Sequence, residues 1–420
     1  VERGRNTAWR IPFVETARGS RREFMVSRRQ FLGLSAAALT SPLWAGAVTA
    51  PFASAAPETL RFRLVNNSGR PAFAYITGQA DGDGSAIFVR ADGSVFRPTA
   101  SSPVPEPLGE DPAVPVDGST EVLVPRMFGA RVYFVTDDKL EFFALQAADG
   151  RTAVVHPNFV SDADPNFHRN WTFAEFTLNA EQVYANISYV DFVAAPVGLH
   201  LTHAGGTQEV PGLPAGAIDR IADSLRTQGG AWPTCVQEAD GTVVRVLNPN
   251  HRAGEFAGYL EGYVDEVWQK YSAEPLLVDS QRADIGILEG RVEGDELVFG
   301  AERFGKPSTA DIWGCNSGPF ANNPDTDSEQ RKAIVPRLAA AFNRTTLLIN
   351  NRQPHGEDPA TFYRHPITNH YARVVHENLP DGKGYAFAYD DVSANPDEDH
   401  SGKVNHGDPE LLTVTLGSIR

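Results

Sequence analysis

The sequence is nearly without sulfur, with 2 Cys and 2 Met in 420 residues. Cys235 and Cys315 allow one internal disulfide at most, which excludes a small scaffold stapled by cross-links; their spacing leaves open whether they pair. The fold must therefore rest on a hydrophobic core, and a chain of this length can build one. Lysine is also scarce, 6 against 31 Arg, and acidic residues prevail, giving a formal net charge of −16. Residues 1–55 carry eight Arg and three Glu, so the remainder holds about −21. A surface of that sign repels phosphate backbones, which argues against a nucleic-acid partner, while a neutral polymer is indifferent to it. The glycine pairs Gly205-Gly206 and Gly229-Gly230 lack a phosphate-binding motif. No H-E-x-x-H motif is present, and the histidines do not repeat at a zinc-site spacing, so neither cofactor nor metal is expected.

What the chain does have is 24 Phe, 11 Tyr, 37 Gly and 30 Pro, the usage of many short strands joined by turns. At the amino end, Ser27-Arg28-Arg29-Gln30-Phe31-Leu32 opens an uncharged apolar stretch from Phe31 to Phe52 that closes on Ala53-Ser54-Ala55. Twin arginines, an apolar segment and a small-x-small cleavage site in that order read as a bacterial twin-arginine signal peptide over 25–55. Residues 1–24 then read as an over-extended start, and the mature protein as a secreted monomer beginning near Ala56. An uncleaved membrane anchor is the alternative, weakened by Pro42 and the many small residues.

Alternation predicts strands at Leu60–Leu64, Ala72–Ile76, Glu121–Val124, Val132–Thr136, Leu140–Leu145, Trp171–Leu178, Val183–Tyr189 and Thr242–Leu247. Helical periodicity appears in Ile218–Leu225, in Phe256–Tyr271 and, with Pro336 inside it, in Ser328–Phe342. A hairpin is expected from Ile285–Val292 and Glu296–Phe299. Strands are predicted again at Thr345–Ile349, Gly384–Tyr389 and Leu411–Leu416. The fold class is therefore mainly β with an α/β part, the latter set into the former.

Trp171, Phe173, Glu175, Thr177 and Asn179 share one strand face, so Glu175 is an acid among groups that can stack on or hydrogen-bond a sugar. The next run ends in Asp191. Two carboxyls about 6.5–9.5 Å apart are what inverting hydrolysis of a glycosidic bond needs, one to protonate the leaving oxygen and one to deprotonate water. With 53 acidic residues, however, such a pair is easily found by chance.

The segments WTFAEFTLN, VYANISYVDFV and AAPVGL within 171–199 resemble the active-site region of glycoside hydrolase family 64, the laminaripentaose-producing β-1,3-glucanases. HRAGEF at 251–256 and RKAIVPRLAAAFNRTTLL at 331–348 extend the likeness. The resemblance implies a thaumatin-like β-barrel or sandwich over 57–207 and 345–420, an inserted α/β domain over 208–344, and a wide groove between them. It implies endo-acting hydrolysis of β-1,3-glucan with inversion, Glu175 serving as general acid and Asp191 as general base. Trp171, Thr177, Asn179, Tyr184 and Ser188 would bind substrate. The alternative is a noncatalytic secreted β-1,3-glucan-binding protein of the same fold, and the acid pair favours the enzyme.

Overall fold

The computed structural model describes residues 56–323, 325–395 and 401–420. The start, signal peptide and cleavage site read in the sequence lie outside them. Two sheets face each other. One has five strands in the order Gly206–Val210, Val197–His203, Pro409–Leu416, Thr59–Asn66 and Ser119–Pro125, with the first and last long strands of the chain paired in parallel. The other runs Lys403–His406, Val183–Ile187, Trp171–Leu178, Met127–Thr136, Ala72–Ala80, Ala86–Val89 and Val95–Phe96, with Val114–Pro115 also on Ala72–Ala80.

The alternation in these strands sends every second side chain between the sheets. Phe62 and Leu64, Val122 and Val124, Val132, Ala174, Phe176, Leu412 and Val414 are buried there, and the Phe62 and Phe176 rings meet at 4.8 Å. A second aromatic cluster covers part of the opposite face of the seven-stranded path. It joins Tyr75, Phe88, Tyr133, Phe142, Phe159, Trp171, Phe173 and Phe192. Burial on both faces at one end of this sheet, with polar residues at the other, is what gives it an open working surface.

The α/β part contains helices Ala217–Gln228, Glu261–Ala273, Thr309–Gly314, Glu329–Arg344 and His370–Asn378. Its sheets are Phe192–Val193 with Thr242–Leu247 and Val236–Ala239, and a five-stranded one through Leu276–Asp279 and Ile287–Glu293. Ser328 caps the Glu329–Arg344 helix, accepting from the Arg331 N–H, and the helix continues through Pro336. Cys235 and Cys315 are both buried and free.

Three expectations are corrected. Thr345–Ile349 is not a strand: Thr345 takes the left-handed conformation, φ 53°, and closes the preceding helix. Gly384–Tyr389 is not a strand either, and makes a single bridge, Ser188 with Tyr385. The return to the sandwich also comes later than residue 345. Arg352–Gln353 pairs in parallel with Leu276–Asp279, and the next strand of the two facing sheets is Lys403–His406.

Candidate active site

Cross-strand register builds the site row by row, since directly opposed residues project from the same face. Tyr75, Tyr133 and Phe173 form the buried aromatic row. The next row crosses five strands as Thr77, Arg131, Glu175, Asn186 and Lys403. Beyond it come Thr177, Tyr184 and Asn405. A bulge on Met127–Thr136 falls between these levels. Gly129 is its extra residue, at φ 53°, and Gly78 opposite has no room for a Cβ, which would lie 2.7 Å from that of Ala130.

Glu175 retains 21% side-chain exposure. Its Oε1 accepts from Arg131 twice, from Nη2 at 3.0 Å and from Nε at 3.2 Å, while Oε2 has Asn186 Nδ2 at 3.5 Å. Asp191 stands where the chain leaves the sandwich. The Tyr189 N–H donates to the Tyr385 carbonyl at 2.7 Å, the Asp191 carbonyl accepts from Asn248 N at 2.9 Å, and Phe192–Val193 then joins the Thr242–Leu247 strand. The Asp191 side chain, 32% exposed, bonds through Oδ1 to His251 Nε2 at 3.2 Å. Burial pushes the Asp191 carboxyl up, but the His251 hydrogen bond, its charge and that of Arg131 outweigh it and hold the group below its ordinary value. Arg131 thus acts on both carboxylates.

The remaining sequence candidates divide. Tyr184 is half-buried, its hydroxyl 3.5 Å from that of Tyr385, and Ser188 is half-buried beside the same segment. Thr177 shares the face, and its Oγ1 has no hydrogen-bond partner among the described residues. Asn179 uses Oδ1 to close the turn, accepting from the N–H groups of Glu181 and Gln182. Trp171 is corrected outright as a sugar platform: it is 1% exposed, packed on Phe192 and Tyr133, with its indole N–H bonded to the Asn166 carbonyl. Trp171→Ala is expected to cost about 3–5 kcal/mol of stability, read as a drop in denaturation midpoint. Trp232, Trp313 and Asp390 are buried as well.

Arg131, Asn186 and His251 were not singled out from the sequence as site residues. Arg131 had a faint signal, as the one charge within the apolar run Ala130–Val135. His251 had none beyond its place in HRAGEF, because its contact with Asp191 spans 60 residues of chain.

The model of the β-1,3-glucanase family Glyco_hydro_64 matches residues 58–416. The chain belongs to this family. Glycoside hydrolase family 64 therefore supplies both class and reaction, and the protein is a glycoside hydrolase that acts on β-1,3-glucan. It is similar to the glucan endo-1,3-β-glucosidases of Cellulosimicrobium cellulans and Arthrobacter sp. (strain YCWD3), each 33% identical over 408 residues, 93% of this chain and 70% of the relative. The crystal structure of a laminaripentaose-producing β-1,3-glucanase in complex with laminaritetraose is 31% identical, with a TM-score of 0.78 over 87% of this chain and 100% of that one. A β-1,3-glucanase domain from Clostridium beijerinckii, at 22% identity and TM-score 0.68 over 86% and 98% of the two chains, shares the fold. The expected fold class, a thaumatin-like sandwich with an inserted α/β part, is borne out.

Proposed function

We propose that the enzyme cleaves internal bonds of long β-1,3-glucans with inversion, Glu175 acting as general acid and Asp191 as general base, and releases short oligosaccharides, chiefly laminaripentaose. The observation that carries this reading is the unequal bonding of the two carboxyls, both of which feel the Arg131 charge. Asp191 is kept ionised by His251 and Arg131, the state a base must hold to take a proton from water. Glu175 has one oxygen engaged by Arg131, while the other has, among the described residues, a single long contact and can carry a proton to the leaving oxygen. Water attacks the anomeric carbon, its proton passes to Asp191, and the Glu175 proton moves to the departing glycosyl oxygen as the C–O bond breaks. Tyr184, Thr177 and Ser188, with the amide nitrogen of Asn179, are suited to hold the sugar rings.

Reducing-sugar release from curdlan or laminarin tests the activity, and NMR of the first product tests the stereochemistry. An α-anomer appearing first supports inversion, whereas a β-anomer would overturn it. Retention of glucan without hydrolysis would favour the noncatalytic alternative. His251→Ala should lower turnover about tenfold and move the acid limb of the pH profile upward, since Asp191 loses the bond that favours its charged form; stopped assays across pH check this. Export by the twin-arginine route and action as a secreted monomer complete the proposal, supported by the amino-terminal sequence.

A further inference from the structure

We propose that Arg131 is a positioning residue that fixes which oxygen of Glu175 faces the substrate, a role that rests on the acid function proposed for Glu175. An exposed ion pair could be dismissed as a neutral ornament of the surface. Arg131 is constrained on every side. Its guanidinium lies over the Phe173 ring at 4.2 Å, Nη1 donates to the Tyr133 hydroxyl at 3.2 Å, and Nε and Nη2 converge on Glu175 Oε1.

The Tyr133 contact has a direction. Tyr133 Oη also lies 3.1 Å from His156 Nδ1. Burial and the Arg131 charge push the His156 imidazole down to about 3, so it is neutral at working pH. Arg131 can only donate, so the Tyr133 oxygen accepts from it, and the Tyr133 O–H is free to donate to Nδ1 of the neutral His156 in the tautomer that carries its proton on Nε2. The chain runs from Arg131 through Tyr133 to His156, and it holds the plane of the guanidinium.

With Oε1 taking both bonds, a proton on Glu175 resides on Oε2. Oε1 of the neutral carboxyl still accepts, so the Arg131 contact persists through the proton cycle. When Glu175 gives its proton to the leaving oxygen, the O–H bond at Oε2 breaks and the new carboxylate is already paired. A lysine could supply the charge but not two bonds from a rigid fork converging on one atom. The ionisable groups acting around this centre are Glu175, Asp191, Tyr133, His156, His251 and Tyr371, with Lys403 further along the same row.

The test compares Arg131→Met and Arg131→Lys in the full mature protein, measuring kcat and KM for soluble laminari-oligosaccharides across pH, with thermal melts alongside. Arg131→Met is expected to lower kcat about 10²-fold with little change in KM. It should also move the acid limb upward, because Asp191 loses a neighbouring cation. Arg131→Lys should return the acid limb to its wild-type position and recover only part of kcat. A Met variant with the wild-type profile, a loss with both limbs unmoved, or full recovery of kcat by Lys would each overturn the proposal. Glu175→Gln on the same substrate separates the two readings. If it stays active, the acid role falls; if it is inactive while Arg131→Met behaves as wild type, only the role of Arg131 falls.

Discussion

Glu175→Gln is expected to lose about 10²–10⁴-fold in hydrolysis of curdlan or laminarin while the protein keeps its fold and still binds oligosaccharides. The amide is nearly isosteric, and its oxygen can accept from Arg131 as Oε1 does now. Its nitrogen would face the open side, where Oε2 now has, among the described residues, only the 3.5 Å contact from Asn186. The proton that the leaving glycosyl oxygen needs is then missing. A laminari-oligosaccharide with an aryl leaving group needs that proton far less, so the variant should recover most of its rate on such a substrate. Equal losses on the glucan and the aryl glycoside would show damage other than loss of an acid, and a wild-type rate on curdlan would remove Glu175 from the role altogether.

The strand that carries Glu175 was legible because its alternation is strict and its two faces meet different surroundings. Ala174, Phe176 and Leu178 enter the inter-sheet core, and the opposite set faces the aromatic row and the site. That regularity also misled at Trp171, since alternation gives the face of a side chain and not whether another element covers it; Phe159 and Phe192, from distant segments, do so. Tyr385-Ala-Phe-Ala-Tyr389 alternates equally well, yet the Ala386 N–H is captured by Asp390 Oδ2 and the Asp390 N–H turns back to the Phe387 carbonyl. A local side-chain acceptor there outcompetes a ladder. The helix His370–Asn378 escaped notice, although Asn369 caps it by accepting from the Ala372 N–H. The aromatic-held Arg131 and the His251 partner of Asp191 depend on strand register and chain crossing, which pairwise spacing does not encode.

Asp191→Asn is expected to reduce turnover by about 10²–10⁴-fold for a different reason, and the difference can be measured. Asparagine can keep a hydrogen bond to His251 but cannot take a proton from water. Azide needs no deprotonation, so added azide should restore bond cleavage in Asp191→Asn and yield a glycosyl azide of inverted configuration. It should not restore Glu175→Gln, where the missing step lies at the leaving oxygen. Failure of azide to raise the rate of Asp191→Asn on an oligosaccharide that the variant still binds would remove Asp191 from the role of base. The wild-type pH dependence follows from the same group. Its carboxyl is held below the ordinary value, so the base remains ionised into acid solution, and activity declines as pH falls through that depressed value. Stability has the same sign. The interaction of Asp191 with His251 and Arg131 contributes fully above the ordinary carboxylate range and is lost as pH falls through the folded-state value, so Asp191→Asn should flatten the acid side of the melting profile.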